Sequence, residues 1–267
     1  MSLSDREMPV RDPLEGLTAT GQIRTGAGIE RIPVRYVDLL DAAVQRVGRD
    51  ESDASVYVYG SVATGAARSP QSDVDLLTVG VSMDRAASIG RSLSTEFSAL
   101  CRGVEIAAAM TDDFRGDDDE AYGARVFLHH YCVRLAGPEI DRATSPFPGD
   151  RRAARGFNGD IARHLARWRQ RLGDSDAGVL GRVVARKTLL AVAGLASVHD
   201  AVWTTDRSDA VERWSQASPD LADGLDELLD WSAQRSSATS VRLAHHLATT
   251  VEQIADQFAA DVGLWPT

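Results

Sequence analysis

Tyr59-Gly60-Ser61-Val62-Ala63-Thr64-Gly65-Ala66-Ala67-Arg68-Ser69-Pro70-Gln71-Ser72-Asp73-Val74-Asp75-Leu76 is the stretch whose reading decides the fold. Its approach, Ser55 to Tyr59, is β-branched and aromatic and stops at Gly60, the composition of a strand with a terminator. Val74 to Val79 reads as a second strand, closed by Gly80. A glycine at position 60 lets backbone approach a ligand, and a helix start just after it would offer free N–H groups to a phosphate. Eleven residues separate Ser61 from Asp73. Asp73 and Asp75 stand two apart, so both carboxylates emerge on one strand face while Val74 turns to the core. Paired carboxylates of this kind make an oxygen-rich site suited to Mg²⁺ carrying a triphosphate.

Working outward, Val104 to Met110 reads as a third strand, and Glu105 is the charge inside it. A charge in an apolar strand is costly unless it is paired or metal-bound. If this strand neighbours the second, Glu105 faces the two aspartates, giving the three-carboxylate set of two-metal phosphoryl transfer. Helical spacing predicts a first helix over Tyr36 to Val47, on Val37, Leu40, Ala43 and Val47. A second helix is expected from a cap at Asp84 to Cys101, striped by Ala86, Ile89, Leu93, Phe97 and Leu100. An acidic loop over 112–120, a helix near Ala124 to His130 and a strand near Cys132 to Leu135 complete an α/β domain assigned to residues 35–145.

Residues 1–34 mix Gly, Pro, Thr and charges without periodicity and read as an N-terminal arm. Ser145-Pro146-Phe147-Pro148-Gly149 cannot continue a helix and marks a linker. Residues 150–267 then carry helical patterns alone: Arg151 to Leu172, Leu180 to Val202, Leu221 to Ala233, and a last helix striped by Leu247, Val251, Ile254 and Phe258.

Composition narrows the class of function. The 267 residues are 43% hydrophobic and 25% charged, which is the profile of a chain with a real core. The net charge of −10 argues against a general nucleic-acid coat and fits a cationic partner. No apolar run is long enough to span a bilayer, and the N-terminus lacks a signal-peptide pattern, so a cytoplasmic location is expected. Cys101 and Cys132 stand far apart with no CxxC, and read as separate thiols. Lys187 is the one lysine of the chain, and Arg182 and Arg186 stand close to it at the start of an otherwise apolar helix. These three cations are candidates to meet a triphosphate.

Gly60-Ser61, the spacer and Asp73-hydrophobic-Asp75-hydrophobic resemble the signature of the DNA polymerase β-like nucleotidyltransferase superfamily, with Glu105 where its third carboxylate belongs. The succession of an α/β half and a helical half is most similar to the streptomycin/spectinomycin-type aminoglycoside adenylyltransferases. Val133 to Ile140 resembles the segment closing their catalytic domain, and Arg182 to Leu190 with Thr204 to Ala210 resembles their central helices. The resemblance implies a mixed-sheet nucleotidyltransferase domain followed by an all-α domain, with the active site in the cleft between them. It implies transfer of a nucleoside monophosphate, AMP from ATP, to a hydroxyl of a small cationic acceptor such as an aminoglycoside, hence antibiotic resistance. Asp73, Asp75 and Glu105 would hold two Mg²⁺ ions, and Glu105 would take the hydroxyl proton. Gly60, Ser61, Arg182, Arg186 and Lys187 would bind the nucleotide. Two alternatives stay open: a same-fold enzyme acting on protein or RNA, as in toxin–antitoxin systems, and a nucleotide-binding module without turnover. Acceptor identity and oligomeric state have no signature in the sequence.

Overall fold

In a computed structural model, residues 12–48, 53–140 and 145–266 are described. They divide into two compact units, one built on residues 23–147 with 12–15, the other on 148–266 with 16–22. Residues 1–11 of the expected N-terminal arm lie outside the described residues, and 23–34 group with the α/β unit.

The α/β unit is organised on four strands, β1 (Ser55–Tyr59), β2 (Val74–Val79), β3 (Val104–Ala109) and β4 (Val133–Ala136). Their order across the sheet is β3-β2-β1-β4. β1 runs antiparallel to both β2 and β4, whereas β2 and β3 are parallel, so the sheet is mixed. A parallel pair needs a crossover, and helix α2 (Met83–Glu96) supplies it. Together with α1 (Val37–Gly48) it covers one face of the sheet: Leu39, Leu40, Ala43, Ile89 and Leu93 pack with Val56, Val58, Val74, Leu76 and Val104. On the opposite face, α3 (Asp119–Tyr131) sends Leu128 and Phe127 to the cluster of Tyr57, Leu77 and Val79. Period-two alternation therefore decides which residues are left outside that second cluster. Asp75 and Glu105 share its face but stand at the other end of their strands, where Asp75 is half-buried and Glu105 exposed.

Several helix boundaries differ from the expected ones for local reasons. The cap of α2 is Ser82, whose hydroxyl accepts the Arg85 N–H, rather than Asp84. The helix stops at Glu96, and Phe97 and Leu100 pack from the following turn. α3 starts five residues earlier than its apolar pattern suggests, because Asp118 caps it through the Ala121 N–H at 2.7 Å. The end of the acidic run is thus a helix start, where carboxylates favour the macrodipole. In α1, Leu39 is buried while Val37 is exposed, a rotation of the expected stripe.

The second unit is helical throughout its described length from residue 151: α4 (Arg151–Asn158), α5 (Ile161–Arg171), α6 (Ala177–Asp200), α7 (Arg207–Ala217), α8 (Ala222–Ser232), α9 (Ser240–Ala248) and α10 (Thr250–Asp261). The expected Arg151–Leu172 helix is two helices, parted at Gly159, against which the Trp265 indole packs too closely for any Cβ. The expected last helix is likewise two, broken where Thr249 leaves helical dihedrals at φ −131° and ψ −95°. Central to the unit is α6, which buries Leu180, Val184, Leu189, Val192 and Leu195. Each such side chain contributes roughly 1.5–3 kcal/mol on leaving water. No helix of the described residues is long and apolar enough to cross a membrane.

Candidate active site

The site begins where β1 ends. Tyr59 lies opposite Asp75 in the β1/β2 register, and the chain then turns at Gly60 with φ +69° into a single helical turn, Gly60–Ala63. A Cβ on Gly60 would stand 2.7 Å from Oδ2 of Asp75, so glycine is required there twice over, by its dihedral and by the carboxylate packed on it. The Ser61 carbonyl accepts the N–H groups of Ala66 and Ala67, which folds the loop back on itself. A second turn, closed by Ser72 N–H to the Arg68 carbonyl at 2.8 Å, brings Asp73 to the root of β2.

That root is tied to β3. The Arg102 N–H donates to the Ser72 carbonyl at 3.1 Å, and the Val74 N–H to the Gly103 carbonyl at 2.9 Å. The Ser94 hydroxyl on α2 accepts the Val104 N–H at 2.8 Å and steadies the start of the strand. The resulting parallel register sets Asp75 directly beside Glu105. Glu105 also lines an open cavity of about 610 Å³ between α2 and the outer edge of β3, together with Gly90, Arg91 and Ser94. Parallel register and alternation thus bring two of the three expected carboxylates side by side. Asp73 stands one residue ahead of β2 rather than on it, and its carboxylate is committed elsewhere. The Arg102 guanidinium forks onto it, Nε donating to Oδ1 at 2.9 Å and Nη2 to Oδ2. Hydrogen bonding to Asp73 is the chief reason the Arg102 pKa is raised, with the charges of Asp73, Glu105 and Asp75 adding to it against partial desolvation.

Carboxylate oxygens are the right donors for Mg²⁺. Asp75 and Glu105 supply such oxygens from adjacent register positions, whereas Asp73 could join only by leaving Arg102. Among the described residues, no group of three His, Cys, Asp or Glu side chains comes together as a cation cage.

Comparison with known proteins agrees with this geometry. A protein-family model for the nucleotidyltransferase domain matches residues 40–143, the stretch that holds all four strands. The chain carries a nucleotidyltransferase domain. Its fold is similar to that of spectinomycin adenyltransferase AAD(9) from Enterococcus faecialis, whose crystal structure was solved with ATP and spectinomycin. That likeness has a TM-score of 0.52 at 10% identity and covers 82% of this chain and 98% of the other. No curated protein matches the sequence. The expected α/β nucleotidyltransferase fold with a helical second half is therefore the observed one.

The nucleotidyltransferase domain contains five of the expected site residues: Gly60, Ser61, Asp73, Asp75 and Glu105. The other three are on α6 of the helical unit. Arg186 is exposed and Arg182 half-buried there. Lys187 is held inside that unit: its ammonium meets Oδ1 of Asp160 at 2.7 Å and donates to the Phe157 carbonyl at 3.1 Å. His164 Nε2 lies 3.0 Å from the other oxygen of Asp160. Burial would raise the Asp160 pKa, but His164 and Lys187 together hold it down at about 2. Lys187 thus has a structural partner that an apolar helix with one lysine did not announce. Arg102 was also missed, although an arginine three residues before Glu105 and one glycine from an apolar strand is a readable signal.

Four tryptophans and His130 serve packing. Trp168, Trp203, Trp214 and Trp231 are buried, and His130 Nε2 accepts the Phe147 N–H at 2.9 Å. Phe127 meets Tyr59 edge-on at 5.1 Å and steadies the strand end opposite Asp75.

Proposed function

We propose that this protein transfers the nucleoside monophosphate of ATP to a hydroxyl of a small cationic acceptor, with pyrophosphate as the leaving group. The observation that carries the reading is the Asp75–Glu105 pairing beside Gly60, within a nucleotidyltransferase domain. In this reading Glu105, exposed at the open edge of the sheet, accepts the proton of the acceptor hydroxyl as its oxygen attacks the α-phosphorus. Gly60 leaves room for Asp75, and Ser61 with the backbone that follows it grips the triphosphate. Asp75 and Glu105, joined by Asp73, would hold Mg²⁺, which when bound neutralises charge on the triphosphate and on the departing pyrophosphate. Lys187, whose ammonium already has Asp160, is not assigned to phosphate in this reading.

An aminoglycoside-type acceptor is favoured by two features. The solved protein of like fold holds ATP and spectinomycin. The loop after β3 exposes Asp112, Asp113 and Asp117, and Arg125 fixes it by donating to the Phe114 and Gly116 carbonyls at 2.9 and 2.8 Å. An ordered acidic loop raises the local concentration of a polycation.

Incubation of the full chain with ATP, Mg²⁺ and a panel including spectinomycin and streptomycin tests the reading. The expected result is a mass gain of one AMP on an acceptor, matched by released pyrophosphate. Label appearing on protein or tRNA alone, or nucleotide binding with no pyrophosphate, refutes it.

A further inference from the structure

Asp73, Asp75 and Glu105 stand near enough to one another for the charge of each to act on Arg102, and like charges so placed call for relief by a cation. Arg102 stands where such relief is needed. Its guanidinium takes both oxygens of Asp73, and its charge also acts on Glu105 and Asp75. The backbone of Arg102 is fixed by its N–H to the Ser72 carbonyl, yet its side chain is 62% exposed, against 21% for Asp73. The head group therefore can swing into water without unpacking anything, while the carboxylate it leaves stays in place.

We propose that Arg102 is a positioning residue that holds the place of a divalent cation at Asp73, so that arginine and metal compete for this carboxylate. The inference rests on the nucleotidyl-transfer reading of the site and adds to it a residue that sets how readily the metal enters. A forked arginine–carboxylate pair fixes the orientation of both oxygens, so Asp73 is kept pointing at the site rather than free to rotate. It is nevertheless an exposed pair of modest strength, which an ion of twice the charge and several oxygen ligands can displace. Arginine suits this role better than lysine, since it never loses its charge and matches a carboxylate with two parallel bonds.

Binding of Mn²⁺ alone, followed through the electron paramagnetic resonance of the free ion, reads this competition without any turnover. The full-length protein is compared with Arg102→Gln, Arg102→Lys and Asp75→Asn, each first checked for an unchanged circular dichroism spectrum. Removing the competitor should tighten Mn²⁺ binding by roughly 1.4-fold to fivefold in Arg102→Gln, the range that losing one exposed charge pair spans. Arg102→Lys, with one bond in place of two, should fall between that variant and the wild type. If Arg102→Gln does not fold, the lysine variant alone carries the comparison. Asp75→Asn should weaken Mn²⁺ by tenfold or more. Arg102 variants that bind Mn²⁺ as the wild type does, or more weakly, while Asp75→Asn loses it, overturn the role of Arg102 and leave the transfer reading standing. Asp75→Asn binding Mn²⁺ like the wild type overturns both.

Discussion

Gly60→Ala separates the two demands placed on that position. The first is conformational: φ is +69°, and an alanine held in the left-handed region costs roughly 1–2 kcal/mol. Gly80 offers the matching control. Its φ is +88°, but a Cβ there would meet nothing nearer than Ala54 Cα at 3.7 Å, so Gly80→Ala carries backbone strain alone. Both variants should melt a few degrees lower than the wild type, by about 2–8 °C on the usual scaling.

The second demand is specific to Gly60. Its Cβ would lie 2.7 Å from Asp75 Oδ2, and ordinary contact begins at 3.4 Å, so the carboxylate must retreat by about 0.7 Å. Misplacing a reacting group by about 1 Å can cost on the order of a hundredfold in rate. AMP transfer by Gly60→Ala should therefore fall by tenfold to a hundredfold, roughly, while Gly80→Ala stays within about twofold of the wild type. Steady-state pyrophosphate release, measured well below both melting temperatures, gives the comparison. Equal activity in the two variants would show that Gly60 serves only the turn, and the packing of Asp75 against it would lose its catalytic meaning.

Asp75→Asn and Asp73→Asn should each abolish transfer without loss of fold, since the first removes one of several like charges and the second breaks only the exposed pair with Arg102; pyrophosphate release checks it, and turnover in either is the contrary result. Glu105→Gln should lower kcat by on the order of 10²–10⁴ while leaving ATP affinity by calorimetry little changed, as expected for a positioned base. Lys187→Met should destabilise the helical unit by about 2–3 kcal/mol in urea unfolding, because Asp160 stays half-buried with His164 alone beside it. The Asp160 pKa is about 2 in the folded protein, below its ordinary value of 3.8. Its contribution is thus present above pH 4 and lost as pH falls toward 2, and Asp160→Asn should flatten that limb of the stability profile.

Most of the α/β framework could be read without coordinates because its signals are local. Ser55–Tyr59 and Val74–Val79 are short β-branched runs ended by Gly60 and Gly80, and the strands coincide with those limits. Helix ends were less legible where a side chain competes with the apolar pattern. Ser82 and Asp118 each cap a helix that hydrophobic periodicity alone starts two or five residues late. In the helical unit, the stripe from Leu247 to Phe258 continues through Thr249 even though the backbone does not, since packing against one core preserves the period across a break.

The carboxylates show why spacing in sequence is a weaker guide than register. Asp73 and Asp75 lie two apart and were expected to act as a matched pair, whereas Glu105, thirty residues further on, is the closer companion of Asp75. In a parallel pair the strands start together, so the residue after Val74 meets the residue after Val104, and only the topology reveals this. Asp73 lies just outside the ladder, where its direction is decided by whichever neighbour offers the best bond, and Arg102 offers a fork. Lys187 follows the same logic: a cation on an apolar helix was open to a distant phosphate, but Asp160, just ahead of α5, was near enough to claim it. In both cases the composition of the site was legible and the pairing was not, because pairing depends on which opposite charge the fold brings within bonding distance first.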